Sequence, residues 1–185
     1  MISKLLRLCA AIGAALFLAA QPAAAADPEN TLFLELPWGR VVIEMRPDLA
    51  PNHVTRIKEL VRKCFYDGTP FHRVIGGFMA QGGDPTGTGT EGSGQKLAAE
   101  FSGEHFTRGV VGMARSSSPN SADSQFFIMF DNSPHLDGKY SIWGQVVEGM
   151  DFVDSIKKGS SLANGAVKDP DVIVRLQVAA DVAEE

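Results

Sequence analysis

Cysteine is scarce in this sequence. Only Cys9 and Cys64 occur in 185 residues, and Cys9 lies in an apolar leader that we expect to be removed. A single remaining cysteine cannot form an internal disulfide, so the fold must hold through its hydrophobic core alone. Without a second cysteine or a histidine cluster at ligand spacing, the sequence predicts no metal site.

Positive charge is also scarce. Lys and Arg number 17 against 22 Asp and Glu, which gives a formal net charge of −5. A nucleic-acid-binding protein normally carries a basic stripe, so that class is excluded. Apolar residues make up 44% of the chain, which is ordinary for a globular protein and too high for a disordered one.

A hydrophobic run long enough to span a membrane is missing. The longest, Leu8 to Ala20, is shorter than the about 20 residues that a transmembrane helix needs. It follows the positive residues Lys4 and Arg7 and is followed by the small residues Ala24 to Ala26. This is the layout of a secretory signal peptide with cleavage before Asp27.

The leader divides the chain in two. We predict a cleaved signal peptide over residues 1–26 and one domain over residues 27–185, with no repeat or linker inside it. The mature protein is expected in the periplasm or secreted.

Neither of two common enzyme signatures occurs in its required context. No G-x-S-x-G nucleophile elbow occurs, and the four histidines are scattered. Residues Gly87 to Gly92 match G-x-G-x-x-G, but no helical pattern follows them, as a dinucleotide site would require. We interpret this stretch as a mobile surface loop.

Short apolar segments with strand character recur along the chain. A hairpin is predicted from Thr31 to Met45 around the Pro37-Trp38-Gly39 turn. The other predicted strands are Phe71 to Ile75, Phe78 to Gln81, Val110 to Ala114, Gln125 to Phe130, Ile142 to Val147 and Val172 to Val178. Because no β-α-β alternation appears, we expect an antiparallel barrel, whose closure removes open edges.

Two helices interrupt the strands. The first begins at Pro51, and the second covers Met150 to Lys157. The apolar stripe of the first helix comprises Val54, Ile57, Leu60, Val61 and Cys64. Its position on this stripe predicts that Cys64 is a buried small residue rather than a reactive thiol.

One arginine lies in an unusual place. Arg73 is embedded among Phe71, Val74 and Ile75, and on a strand it would share a face with Phe71 and Ile75. Such a guanidinium needs a carboxylate partner, a path to water or a function. A structural salt bridge is the simple alternative.

The segment Gln125 to Phe130 predicts two different faces. Gln125, Phe127 and Met129 would share one face, and Phe126, Ile128 and Phe130 the other. One face would fill the barrel. The other would form, with Arg73, Met79 and Gln81, an outer groove suited to an apolar ligand with a few polar contacts.

Several motifs in fixed order resemble the cyclophilins, from about Leu32 to Val178. These motifs are Tyr66-x-x-x-x-Phe71-His72-Arg73, Phe78-Met79-x-Gln81-Gly82-Gly83-Asp84, Gly112-Met113-Ala114, Ser124-Gln125-Phe126-Phe127-Ile128, Leu136-Asp137-Gly138-Lys139 and Gly144-Gln145-Val146. The resemblance implies a mainly β fold, a closed eight-stranded antiparallel barrel capped by two α-helices. It also implies peptidyl-prolyl cis-trans isomerase activity without a cofactor.

The resemblance also implies residue roles. Arg73 would be catalytic. The implied substrate-binding residues are Phe78, Met79, Gln81, Ala114, Arg115, Gln125, Phe127, His135, Leu136 and Tyr140. His135 stands where many members carry Trp, Tyr140 where many carry His, and Arg115 where Asn is usual, so the pocket should differ in size.

The expected partners are proline-containing polypeptides. Nucleic acid is not expected and, once the leader is removed, neither is a membrane; the chain should act as a monomer. One alternative is a barrel that holds proline segments as a chaperone or scaffold without turnover. Another is a lipocalin-like barrel with an internal ligand, which an outer groove at Gln125 and Phe127 disfavours.

Overall fold

The computed structural model describes residues 27–182. The predicted signal peptide and its cleavage site before Asp27 therefore involve residues outside the described part. Within residues 27–182, no helix is long and apolar enough to cross a membrane.

Strands dominate the described chain, as predicted. In chain order the elements are β1 (Thr31–Leu36), β2 (Gly39–Met45), α1 (Pro51–Arg62), β3 (Arg73–Ile75), β4 (Met79–Gly82), β5 (Val110–Met113), β6 (Phe126–Met129), β7 (Ile142–Glu148), α2 (Met150–Ser155) and β8 (Arg175–Val178). The predicted hairpin and the start of the first helix at Pro51 are confirmed. The second helix ends two residues earlier than predicted, at Ser155.

The strands form one antiparallel sheet in the order β3-β4-β6-β5-β7-β2-β1-β8. The eight antiparallel strands are confirmed, but closure into a barrel is not shown. β3 and β8 are the two ends of this curled sheet and do not pair, and only the segments just before them meet, through a bridge between Pro70 and Val172. The physical reason is that a loop covers the outer edge of β3. Val74 donates its N–H to the carbonyl of Gly165 (2.8 Å) and accepts from Gly159 (2.9 Å). The edge is satisfied without a closing strand.

The two faces of the sheet carry separate apolar clusters. Phe126, Ile128 and Phe130 join the larger cluster, together with residues of both helices. Phe127 and Met129 join a smaller cluster on the other face. The alternation predicted for this strand is therefore confirmed.

Phe71 lies on the opposite side from the predicted one. It is fully buried in the larger cluster, where its ring centroid is 6.5 Å from that of Phe126. The strand begins only at Arg73, so the alternation that would place Phe71 beside Arg73 does not extend back to it.

Cys64 is exposed, so its predicted burial is also wrong. Helix α1 ends at Arg62, and Cys64 adopts a left-handed conformation with φ of 55°. Cys64 donates its N–H to Val61 and Phe65 donates to Leu60, the Schellman pattern that ends many helices. Helical periodicity therefore no longer determines where Cys64 faces.

A distant carboxylate caps the start of α1. Glu100 accepts hydrogen bonds from the backbone N–H groups of Asn52 (3.1 Å) and His53 (3.0 Å). Its Oε2 also lies 2.6 Å from Nδ1 of the fully buried His53. Burial would raise the pKa of Glu100, but the bonds from His53 and Asn52 outweigh it and lower that pKa.

Replacing Glu100 with glutamine is expected to lower the free energy of unfolding by about 1.5–3 kcal/mol at neutral pH. Because the folded pKa of Glu100 is lowered, its contribution is present above the unfolded pKa and is lost as pH falls through the folded value. The gap between wild type and Glu100→Gln should therefore shrink in acid. Urea unfolding at several pH values measures it.

Glu59→Gln is the matched control for this change. Glu59 lies on the same helix in a half-exposed pair with Arg56, which should contribute under about 1 kcal/mol. Equal losses in the two variants would contradict the capping role of Glu100.

Candidate active site

A cavity of about 300 Å³ lies on the face of the sheet that carries the smaller cluster. Its lining comprises Arg73, Phe78, Met79, Gln81, Ala114, Arg115, Phe127, His135, Leu136 and Tyr140. All of these are predicted site residues. The remaining one, Gln125, lines an adjoining cavity of about 220 Å³ that shares Gln81, Ala114 and Arg115.

Strand register brings the polar and apolar sides of the cavity together. Arg73 on β3 pairs with Gln81 on β4, and Gln81 pairs with Phe127 on β6. Paired residues project on the same face of a sheet. The three side chains therefore form one row across three strands, with the guanidinium at one end and the aromatic ring at the other.

The apolar side of the cavity is built from stacked rings. The centroid of Phe127 lies 5.7 Å from that of Phe106, and Tyr140 meets Phe127 edge-on at 5.8 Å. Phe106 is 1% exposed and supports this floor from behind. Phe106 was not among the predicted site residues, because no strand or motif in the sequence marks it.

A short 3-10 turn, Pro134–Leu136, forms a wall of the cavity. It places the His135 ring 5.6 Å from Phe78 and buries Leu136. On the neighbouring side, the Arg115 guanidinium lies 4.4 Å from the centroid of the Tyr140 ring. The same guanidinium donates to the carbonyl of Lys139 at 2.8 Å. This bond holds it in a cation–π contact with the face of the Tyr140 ring.

Arg73 is held by neutral groups. Its Nη1 donates to Oε1 of Gln81 (3.2 Å), its Nε to the carbonyl of Asn164 (3.0 Å) and its Nη2 to Oδ1 of Asn164 (3.1 Å). Within the described residues 27–182, Arg73 forms no ion pair. Burial lowers its pKa from the usual value, but an arginine stays protonated.

A relay of amides orients Gln81. Its Nε2 donates to Oε1 of Gln125 (3.0 Å), and Nε2 of Gln125 donates to the carbonyl of Glu91 (2.8 Å). With its amide nitrogen engaged in this way, Gln81 turns its oxygen toward Arg73. Gln125 thus acts on the arginine indirectly, through a hydrogen-bond chain.

The glycine-rich loop that supplies Glu91 is organised by Asp84. This buried carboxylate accepts from the backbone N–H groups of Thr86, Gly89 and Glu91. Burial alone would raise its pKa, but those bonds outweigh burial and hold the pKa at about 2. The loop serves as one side of the adjoining cavity.

Asn164 is a second site residue that sequence analysis missed. It lies 91 positions after Arg73 in a loop without a recognisable pattern. Its backbone is left-handed, with φ of 52°, a conformation that asparagine and glycine tolerate best.

Replacing Asn164 with glycine is expected to lower kcat by about fivefold, with a smaller change in KM. Glycine accepts the same φ and keeps the carbonyl that binds Nε, so the change removes only the Oδ1 acceptor. One lost hydrogen bond to a charged group accounts for about 1 kcal/mol or more. Steady-state kinetics on an X–Pro peptide, the substrate that the sequence resemblance implies, measure it, and an unchanged kcat would show that the side chain does not hold Arg73.

Comparisons with known proteins agree on one family. A family model described as "Cyclophilin type peptidyl-prolyl cis-trans isomerase/CLD" matches residues 32–178. A "Probable peptidyl-prolyl cis-trans isomerase" of Brucella suis is 57% identical over 175 residues, which cover 88% of this chain and 89% of the relative. "Peptidyl-prolyl cis-trans isomerase B" of Bacillus subtilis is 38% identical over 69% of this chain and 90% of its own length.

Solved structures give the same result. A cyclophilin from Hirschia baltica superposes with a TM-score of 0.76 at 33% identity, covering 85% of this chain and 77% of its own. A Cryptosporidium parvum cyclophilin-type isomerase, crystallised in the presence of the dipeptide Ala-Pro, gives 0.72 at 29% identity, covering 80% and 98%.

Proposed function

The chain belongs to the cyclophilin-type peptidyl-prolyl cis-trans isomerase family and accelerates rotation about X–Pro bonds, and from that premise we propose that Arg73 is its catalytic residue. The observation that carries the proposal is a permanently charged guanidinium at a cavity with an apolar side. Gln81 and Asn164 hold this guanidinium, and no carboxylate of residues 27–182 pairs with it.

The reaction needs a hydrogen-bond donor aimed at the proline nitrogen. Resonance gives the C–N bond a rotation barrier of roughly 18–20 kcal/mol. When the bond twists, the nitrogen becomes pyramidal and gains a lone pair. A donor that binds this twisted form more strongly than the planar one accelerates rotation.

Arg73 has such a donor available. Three of its five N–H groups are taken by Gln81 and Asn164. Among the described residues, a fourth, on Nη1, meets only the sulfur of Met79 at 4.0 Å. The fifth, on Nη2, can therefore reach a substrate without breaking the bonds that hold the guanidinium.

The apolar side of the cavity would hold the proline ring. Met79, Phe127 and Leu136 form a buried apolar surface in the cavity that Arg73 also borders. Gripping the ring lets the preceding carbonyl rotate, and no covalent intermediate is required. The proposed substrates are proline-containing segments of polypeptides, bound by a single copy of the chain.

Isomerase kinetics on residues 27–185 test this proposal. Exchange between the cis and trans forms of an X–Pro peptide can be followed by NMR, without a coupling protease. Catalysed exchange that a proline-free analogue of the peptide does not inhibit, but a proline-containing analogue does, supports a proline pocket. Tight peptide binding without catalysed exchange would instead favour a non-catalytic binding module.

We also propose that the enzyme assists the folding of exported proteins in the periplasm or outside the cell. The support is the signal-peptide layout of residues 1–26. Expression of the full chain in a Gram-negative host should yield a mature protein whose first residue is Asp27, as intact-mass spectrometry of the periplasmic fraction would show. A cytoplasmic product that retains residues 1–26 would contradict the export proposal and leave the isomerase assignment unchanged.

A further inference from the structure

The turn that forms one wall of the cavity is tied at both ends to the same short segment. Before the turn, Ser133 donates its N–H to the carbonyl of Phe106 at 2.8 Å. After the turn, Asp137 accepts from the N–H of Phe106 through Oδ1, also at 2.8 Å. The other oxygen of Asp137, Oδ2, lies 2.6 Å from Nδ1 of His105.

These contacts connect the wall of the cavity to its floor. Asp137 directly follows Leu136, which lines the cavity. Phe106 carries the ring that stacks on Phe127 from behind. A carboxylate that grips the backbone of Phe106 therefore sets the distance between Leu136 and Phe127, the two surfaces that would clasp a proline ring.

A positive charge on His105 strengthens this grip. The hydrogen bond to Asp137 and the nearby Glu104 raise the pKa of His105, and the bond from His105 lowers the pKa of Asp137. The other ionisable groups here are His135, which also lowers the pKa of Asp137, and Lys139, which donates to the carbonyl of His135. The His105 side chain is 78% exposed, so solvent screens the pair and its effect is modest.

We propose that Asp137 and His105 are positioning residues, which fix the wall of the proline pocket against its floor and tighten substrate binding when His105 is protonated. This inference rests on the proposed assignment of the Arg73 cavity as the isomerase site. Neither residue touches the cavity in the described structure, so both act through Leu136 and Phe106.

Variants of Asp137 test the mechanical part. In Asp137→Ala, both the Phe106 and the His105 bonds are lost, and we expect KM for an X–Pro peptide to rise about tenfold while kcat changes less than threefold. Asp137→Asn keeps an oxygen for the Phe106 N–H and removes the charge, so its KM should rise only about threefold. Circular dichroism checks that both variants are folded.

The pH profile tests the electrostatic part. The attraction from protonated His105 is present in acid and is lost as pH rises through its raised pKa. Wild-type KM should therefore be about threefold lower near pH 5.5 than near pH 8.5, with an uncharged peptide followed by NMR. His105→Gln keeps a side-chain donor but cannot be protonated, so its KM should match the high-pH wild-type value throughout.

Asp181→Asn is the matched control. Asp181 forms an exposed pair with Arg62 at the end of α1, and its loss should leave KM and its pH profile unchanged.

Three results would overturn the proposal. They are an unchanged KM in Asp137→Ala, a larger change in kcat than in KM, and a pH step that survives in His105→Gln. A failure of the proposed function would give a different result, namely full turnover in Arg73→Ala. In that case the Arg73 cavity would not be the isomerase site, and Asp137 and His105 would have no role in substrate binding.

Discussion

Arg73→Ala is expected to lower kcat/KM for an X–Pro peptide by about 100-fold to 1,000-fold, the usual effect of removing one donor that stabilises a transition state. The guanidinium is the only cationic group proposed to face the proline nitrogen, and neither Gln81 nor Asn164 can replace its charge. The effect should fall mainly on kcat, since the apolar residues that grip the proline ring remain.

Kinetics on one peptide, measured without a coupling protease, decide this prediction. Arg73→Lys keeps the charge but loses the fork that binds Gln81 and Asn164, so we expect activity between wild type and Arg73→Ala. Arg40→Ala is the control, because Arg40 pairs with Glu35 on the β1–β2 hairpin, outside the cavity. A folded Arg73→Ala variant with near-normal turnover would rule out the proposed mechanism.

Phe126→Ala is expected to lower the free energy of unfolding by about 3–5 kcal/mol, as for other fully buried phenylalanines. Its ring is 1% exposed and meets Tyr66 (5.6 Å), Phe71 (6.5 Å) and Trp143 (5.8 Å) edge-on. Removing it leaves a cavity that three rigid rings cannot easily fill. Turnover should stay close to normal under conditions where the variant is folded.

Phe127→Ala is the matched change on the opposite face of the same strand. Phe127 is 5% exposed and packs on Phe106, but it also borders the cavity. We expect a smaller loss of stability, about 1–3 kcal/mol, together with at least a tenfold loss of kcat/KM.

Urea unfolding and peptide kinetics on both variants measure these two effects. The prediction is the crossed pattern, in which Phe126→Ala is the less stable protein and Phe127→Ala the less active one. If both variants lost stability and activity in equal measure, the separation of core and pocket by strand face would be refuted.

Local sequence patterns were sufficient to predict several elements of the fold and the residues around the cavity. Alternation along Gln125 to Phe130 assigned both faces of β6 correctly, because the side-chain period of a strand depends on its own backbone alone. Pro51 marked the start of α1 for the same reason, since its ring presets a helical φ. Short motifs around Arg73, Gln81, Phe127 and Leu136 identified the residues that the fold brings around one cavity.

Tertiary structure decided the features that depend on distant partners. β3 does not pair with β8, and the loop at Gly159 and Gly165 occupies its outer edge instead. Cys64 is exposed for a local reason, because the Schellman turn after Arg62 ended the helical period that its apolar stripe had suggested.

The residues that support the site belong to this second class. Asn164, Phe106 and Asp137 act through contacts with groups between 21 and 91 positions away. A local pattern reports the conformation of its own segment, whereas such contacts exist only after the sheet has curled and its loops have packed. The sequence alone therefore determined the two faces of β6, the start of α1 and the residues of the cavity, while only the folded chain determined how Arg73 and the pocket wall are held.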